Sequence, residues 1–142
     1  MRRLVAITGM TVGIAVLWRG ETPMLEWSPG EAEQPARCGP VRPGRGSPRR
    51  TRCWWPGPIR IPCWPLPASW LHKAAAIRDR STAFDQEEVM SGVCCTAVPL
   101  RGADSAPVAA LCVLTDPAHR LERLAEAARQ SGCVISVGLR GR

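Results

Sequence analysis

The stretch Val93–Leu114, VCCTAVPLRGADSAPVAALCVL, decides how the chain folds. Val93 to Leu100 reads as an apolar strand, Arg101 to Ala106 (RGADSA) as a polar turn, and Pro107 to Leu114 as the returning strand. Together they make a β-hairpin. Downstream, Thr115, Asp116 and Pro117 resemble a helix start, with Pro near the first helical position. Leu121, Leu124, Ala125 and Ala128 then recur at i, i+3, i+4 and i+7, one face of an amphipathic helix. Arg120, Glu122, Arg123, Glu126 and Arg129 fill the other face. Gly132 either caps that helix or is tolerated inside it, and Val134 to Leu139 is either a last strand or the helix continued.

Upstream, Leu71 to Arg80 (LHKAAAIRDR) is built from good helix formers. Thr11 to Trp18 (TVGIAVLW) suits a mostly buried strand. Arg19 to Glu21 is a turn-like break, and Thr22 to Trp27 returns as a second strand, giving a first hairpin. A signal peptide is the rival reading, because Arg2 and Arg3 precede the apolar run. Thr8, Gly9, Thr11 and Gly13 interrupt that run, and no small-residue cleavage site follows Trp18, so the hairpin is preferred.

The 142 residues amount to one domain, and the 45% hydrophobic content excludes a collagen-like or wholly disordered chain. No apolar run reaches the ~18 residues of a membrane span. The net charge of +7 has a local origin. From Gln34 to Arg78 there are nine basic residues and no acid, so the remainder is mildly acidic. Nine of the fourteen prolines and four of the six tryptophans also fall in this middle stretch, which therefore cannot form a helix or a central strand. Three segments follow: 1–34 as a first hairpin, 35–70 as an irregular segment, and 71–142 as the rest of a domain.

The run Ala83–Leu121, AFDQEEVMSGVCCTAVPLRGADSAPVAALCVLTDPAHRL, resembles the effector-binding domain of IclR-type bacterial transcription regulators. Shared features are the aromatic-Asp-x-Glu-Glu turn, the Gly-x-x-Cys strand, Ala-x-Pro, the Gly/Asp turn and the closing helix. Thr8 to Trp27 is similar to the first hairpin of the same domain. The resemblance implies an α+β, GAF-like fold, a twisted and mainly antiparallel sheet flanked by helices. It implies a ligand sensor in a cytoplasmic transcription regulator, with a pocket for a small organic acid, no enzymatic activity and no cofactor. It also implies homodimers or tetramers, and a winged helix-turn-helix that this chain lacks, so direct DNA binding is not expected of it. Residue by residue, the pocket implied is Asp85 on the turn, Cys95 on the strand after Gly92, Cys112 where the family often has a small hydroxyl residue, and Thr115 (or Leu114) at the next such position.

The family's Leu-Pro-x-His-Ala motif is absent from the middle. Back-translating Ser47 to Pro56 in a shifted frame can give Leu-Pro-Ala-Ala-His-Ala-Leu-Leu-Val-Ala, and Cys53-Trp54-Trp55-Pro56 force the last three residues. Roughly residues 43–70 are thus expected to be read in a shifted frame, with the family frame restored before Ile77. The alternatives are a decayed, non-functional fragment, or a basic nucleic-acid-binding protein acting through residues 37–60, where Trp54 and Trp55 fall among seven arginines. The sequence favours neither metal nor nucleophilic chemistry. There is no Cys-x-x-Cys pair, adjacent Cys94 and Cys95 point to opposite faces of a strand, and His72 and His119 have no visible catalytic partner. Glu87 and Glu88 read as solvated turn carboxylates.

Overall fold

A computed structural model describes residues 1–16, 24–30, 68–88 and 91–141. The elements in order are α1 (Arg2–Thr8), β1 (Thr11–Ala15), β2 (Met24–Ser28), α2 (Ala68–Arg80), β3 (Ala83–Gln86), β4 (Cys94–Arg101), β5 (Pro107–Thr115) and α3 (Leu121–Arg140). The five strands form one sheet in the order β2-β1-β5-β4-β3, every neighbouring pair antiparallel. This is the α+β architecture expected. Most of the segment 35–70 lies outside the described residues, except that α2 begins at Ala68, three residues earlier than its sequence suggests.

Both hairpins form. In the second, β4 and β5 pair from Cys94↔Thr115 to Arg101↔Pro107, with a register shift at Leu100/Arg101 next to the turn. In the first, β1 stops at Ala15, and residues 17–23 lie outside the described set.

Three local expectations need correction, and one open alternative is decided. The chain opens on a helix, α1, where the sequence reading saw only the approach to a strand. Its seven residues are too few to be helical alone; Leu4, 2% exposed, anchors it in the core. Gly9 ends it at φ 68°, with its N–H donating to the Val5 carbonyl at 2.7 Å. Second, Asp85 lies on a strand, and the turn starts only at Glu87, φ 57°. Third, Thr115–Pro117 do not open the last helix. The Asp116 carboxylate accepts the Ala118 N–H at 2.8 Å and closes a local turn, so α3 starts at Leu121. Of the alternatives left open, Val134–Leu139 continue α3, and Gly132 lies inside it. A Cβ at Gly132 would sit 3.1 Å from Val98 Cγ2, so the missing side chain is what lets the helix approach β4 this closely.

The two sheet faces differ in kind. Side chains alternate along each strand, and the register sorts them. Val12, Val98, Leu100, Leu111 and Val113 point toward α3 and pack with Leu4, Leu124 and Ala128. Each such fully buried side chain contributes about 1.5–3 kcal/mol, so this face carries most of the stability. Arg101 N–H donates to Ser136 Oγ at 2.9 Å and Arg129 Nη1 to Thr82 Oγ1 at 3.3 Å, tying α3 to the end of the sheet. The opposite face turns toward α2 and is built differently.

A candidate ligand-binding face on the sheet

On the face toward α2, one row crosses all five strands: Ala83↔Ala97↔Cys112↔Gly13↔Trp27. Four small residues make a low floor, and Trp27, partly buried against the same cluster, stands at its end. The adjacent row on one side is Asp85↔Cys95↔Leu114↔Thr11. On the other it is Pro99↔Ala110↔Ala15. Volumes that Leu and Val fill on the α3 face are left by Gly, Ala and Cys here. This small-residue floor is covered, with Cys112 0% exposed and Ile77 of α2 packed in the same cluster, whereas ligand sites are typically apolar clefts with a few placed polar groups.

Three of the four residues read from sequence come together on this face. Asp85 and Cys95 are direct cross-strand partners, and Cys112 is one rung away on β5. Asp85 is 4% exposed, and its Oδ1 accepts the Glu88 N–H at 2.8 Å. The carboxylate is thus held from the turn behind it. The Glu88 side chain in turn pairs with Lys73 of α2, so α2 and Asp85 share one anchor. Glu87 accepts the Gly92 N–H, closing the same turn. Both glutamates are exposed, as expected for turn carboxylates.

Thr115 is not brought to this place. It pairs with Cys94 and points to the α3 face. The residue at that level on the α2 face is Leu114, opposite Cys95. The alternation along β5 decides between the two registers that the sequence left open. Thr11 and Gly13 complete the face and were missed. Thr11 is buried and its Oγ1 accepts the Gly30 N–H at 3.1 Å. Their signal was available only through pairing with β5, which spacing along the chain does not reveal.

The rest of the chemistry is quiet. Burial pushes the Cys94 thiol up, and the carboxylates of Glu87, Asp85 and Asp116 add to this against a hydrogen bond from the Glu87 backbone, so it stays protonated. His119 Nδ1 sits 2.9 Å from Asp116 Oδ1 on the surface. That contact, with the Ala118 N–H, holds the Asp116 carboxyl below its usual range. Among the described residues no group of three or more His, Cys, Asp or Glu is placed to hold a metal ion, and no helix is long and apolar enough to cross a membrane. A groove of about 460 Å³ lies at the β2 edge, among Met1, Arg2, Ile14, Trp27 and Ile135, and shares only Trp27 with the rows above.

Comparison with known proteins fits this geometry. The family described as bacterial transcriptional regulator IclR C-terminal matches residues 67–137, half of the chain. No curated protein sequence matches. Among solved structures, the C-terminal domain of the Escherichia coli transcriptional regulator KdgR is similar, with TM-score 0.73 and 15% identity over 99% of this chain and 93% of that one. Thermotoga maritima IclR gives TM-score 0.73 and 20% identity over 98% of this chain and 65% of its own. A double mutant of the PobR inducer-binding domain from Acinetobacter, in complex with 3-hydroxybenzoic acid, gives TM-score 0.69 and 19% identity over 94% of this chain and 91% of its own. At these identities the structures speak for the fold, and the family match speaks for descent. With the sheet, the helices and the matched residues in agreement, the chain belongs to the IclR family of bacterial transcriptional regulators, as a C-terminal, effector-binding domain.

Proposed function

We propose that this domain senses a small organic acid on the α2 face of its sheet, within a cytoplasmic regulator, and does not turn its ligand over. The observation that carries the reading is the contrast between the two faces: Leu and Val packed under α3, against Ala83, Ala97, Cys112 and Gly13 flooring the other side. Asp85 supplies a buried acceptor for a ligand hydroxyl or a protonated carboxyl, with Cys95 beside it and Trp27 as an end wall. The PobR domain that binds 3-hydroxybenzoic acid shares this fold and supports an aromatic acid as the first class to try.

The proposed role of Asp85, Cys95 and Cys112 is ligand contact. Thr115, placed on the opposite face, is proposed only as a support for the strand. The family match begins at residue 67, which supports the reading that family-frame sequence resumes near there after a shifted segment. Self-association is proposed through the outer face of α3, where Val134 and Val137 are 74% and 68% exposed. Sedimentation of the wild type and of Val134→Glu with Val137→Glu tests it.

The direct test of the sensor reading is calorimetric titration of the chain with a panel of hydroxybenzoates and aliphatic keto acids. Ala97→Leu should abolish binding by filling the floor, while circular dichroism stays unchanged. Binding that survives Ala97→Leu would contradict the assigned face, and conversion of the ligand would contradict a purely sensory role.

A further inference from the structure

The four described cysteines are sorted by the fold. Cys133 is exposed on α3, and Cys94 faces α3 from β4. Cys95 and Cys112 alone share a place, both on the α2 face, on adjacent strands and one rung apart. They are 2% and 0% exposed. Diagonal neighbours in an antiparallel pair are about 7–8 Å apart, their Cβ atoms somewhat closer. That is too far for a disulfide, whose Cβ atoms must approach to about 3.5–4.5 Å. It suits a single atom held between two sulfurs, since two thiolate–metal bonds of about 2.3 Å each span roughly 4.6 Å of it and the two Cβ–Sγ bonds cover much of the remainder. The Cys112 thiol has only a long contact, 3.9 Å to the Ala110 carbonyl, to give up when it turns toward Cys95. Beside it lie only the small residues Ala97 and Gly13.

We infer that Cys95 and Cys112 form a two-thiol site for a soft divalent cation of linear preference, of which Hg(II) is the type. Soft thiolates select such ions. Binding breaks two S–H bonds and forms two S–Hg bonds, and both protons leave to solvent. The product, an Hg(II) dithiolate, is neutral overall. It therefore escapes the cost of burying a net charge, which a monovalent cation held by the same two thiolates would incur. The inference rests on the reading that this face admits ligands, but it needs no organic effector.

The test uses the whole chain under reducing conditions with Hg(II) and millimolar glutathione. Glutathione strips ions from single thiols. A preorganised pair resists it, because the second sulfur acts at high effective concentration, worth on the order of 100-fold or more. After gel filtration the wild type should retain one Hg(II) per chain, with thiolate-to-mercury absorption in the ultraviolet. Cys95→Ser and Cys112→Ser should each lose it, whereas Cys94→Ser and Cys133→Ser should keep it. A measurement without mutation guards against misfolded variants: bound Hg(II) should shield Cys95 and Cys112, and no other described cysteine, from alkylation after rapid denaturation, as mapped by mass spectrometry. Retention that survives Cys112→Ser, or shielding of Cys94 or Cys133 instead, overturns the site. Organic-acid binding without Hg(II) retention sinks this inference alone, while Hg(II) retention without acid binding sinks the organic-effector reading alone.

Discussion

Two glycines in the same helix should respond in opposite directions to an added side chain. Gly132 faces β4: a Cβ there would lie 3.1 Å from Val98 Cγ2, 3.7 Å from Leu100 Cδ2 and 3.8 Å from the Pro99 carbonyl. Valine at this position adds two further carbons where Val98, itself 2% exposed, has little room to move. Overpacking of this kind costs about 1–3 kcal/mol, and the few tenths gained in helix propensity from Gly to Val do not offset it. Gly138 lies further along α3 with nothing within 4 Å of an added Cβ. Gly138→Ala should therefore stabilise the domain by roughly 0.8–1 kcal/mol through propensity alone. At about 4 °C per kcal/mol for a domain near this size, Gly132→Val should lower Tm by roughly 4–12 °C and Gly138→Ala should raise it by a few degrees. Thermal unfolding followed by circular dichroism reads both. If Gly132→Val were neutral or stabilising while Gly138→Ala behaved as expected, α3 would not be seated on β4 as described, and the packed-face argument would fail with it.

Further outcomes follow from single groups. The Cys94 thiol is held above its ordinary value of 9.0, so the folded state keeps a proton that the unfolded state gives up. Stability from this group is present below that pH and lost as pH rises through the elevated value, at up to about 1.4 kcal/mol per pH unit. Cys94→Ala should show a shallower alkaline decline in denaturant midpoint, and identical slopes would contradict the assignment. The chain has no tyrosine to obscure this range. The Asp116 carboxyl is held below its ordinary value of 3.8 by His119 and the Ala118 N–H. Its contribution is present above that pH and lost on acidification. Asp116→Asn should keep the turn and flatten that part of the acid profile, whereas an unchanged profile would argue that the carboxylate contributes nothing. Resequencing the coding DNA across residues 43–70 should reveal compensating single-base changes that restore Leu-Pro-x-His-Ala. An unambiguous read identical to the present sequence would leave the shifted-frame proposal without support as a reading error.

The second hairpin was legible because its two apolar runs flank a turn with unmistakable residues, Gly102, Asp104 and Ser105. The candidate residues Asp85, Cys95 and Cys112 share one face, in a register that the resemblance was dense enough to fix. The errors and the open alternatives cluster where side-chain and tertiary effects override local pattern. Asp116 takes the Ala118 N–H and delays α3, an outcome that a Thr-Asp-Pro signature alone does not distinguish from a helix cap. Gly132 reads as a possible stop because its reason for being glycine, the Val98 methyl, lies on another element. α1 is held by tertiary burial of one leucine, which no propensity foretells. Leu114 and Thr115 differ by one residue, and in a strand one residue is the difference between the two faces. Thr11 and Gly13 join the site only through pairing with β5, a contact spanning about a hundred residues of sequence.

The division of labour between the two sheet faces is best tested through methyl groups, which report one face at a time. With 13C-labelled alanine, valine and leucine methyls, titration with 3-hydroxybenzoate or whichever panel acid binds should shift Ala83, Ala97 and Ala110 on the α2 face. Val12, Val98, Leu111 and Val113, under α3, should stay in place. Shifts concentrated on the α3-facing methyls, or on the groove beside Ile14 and Ile135, would contradict the account at its centre.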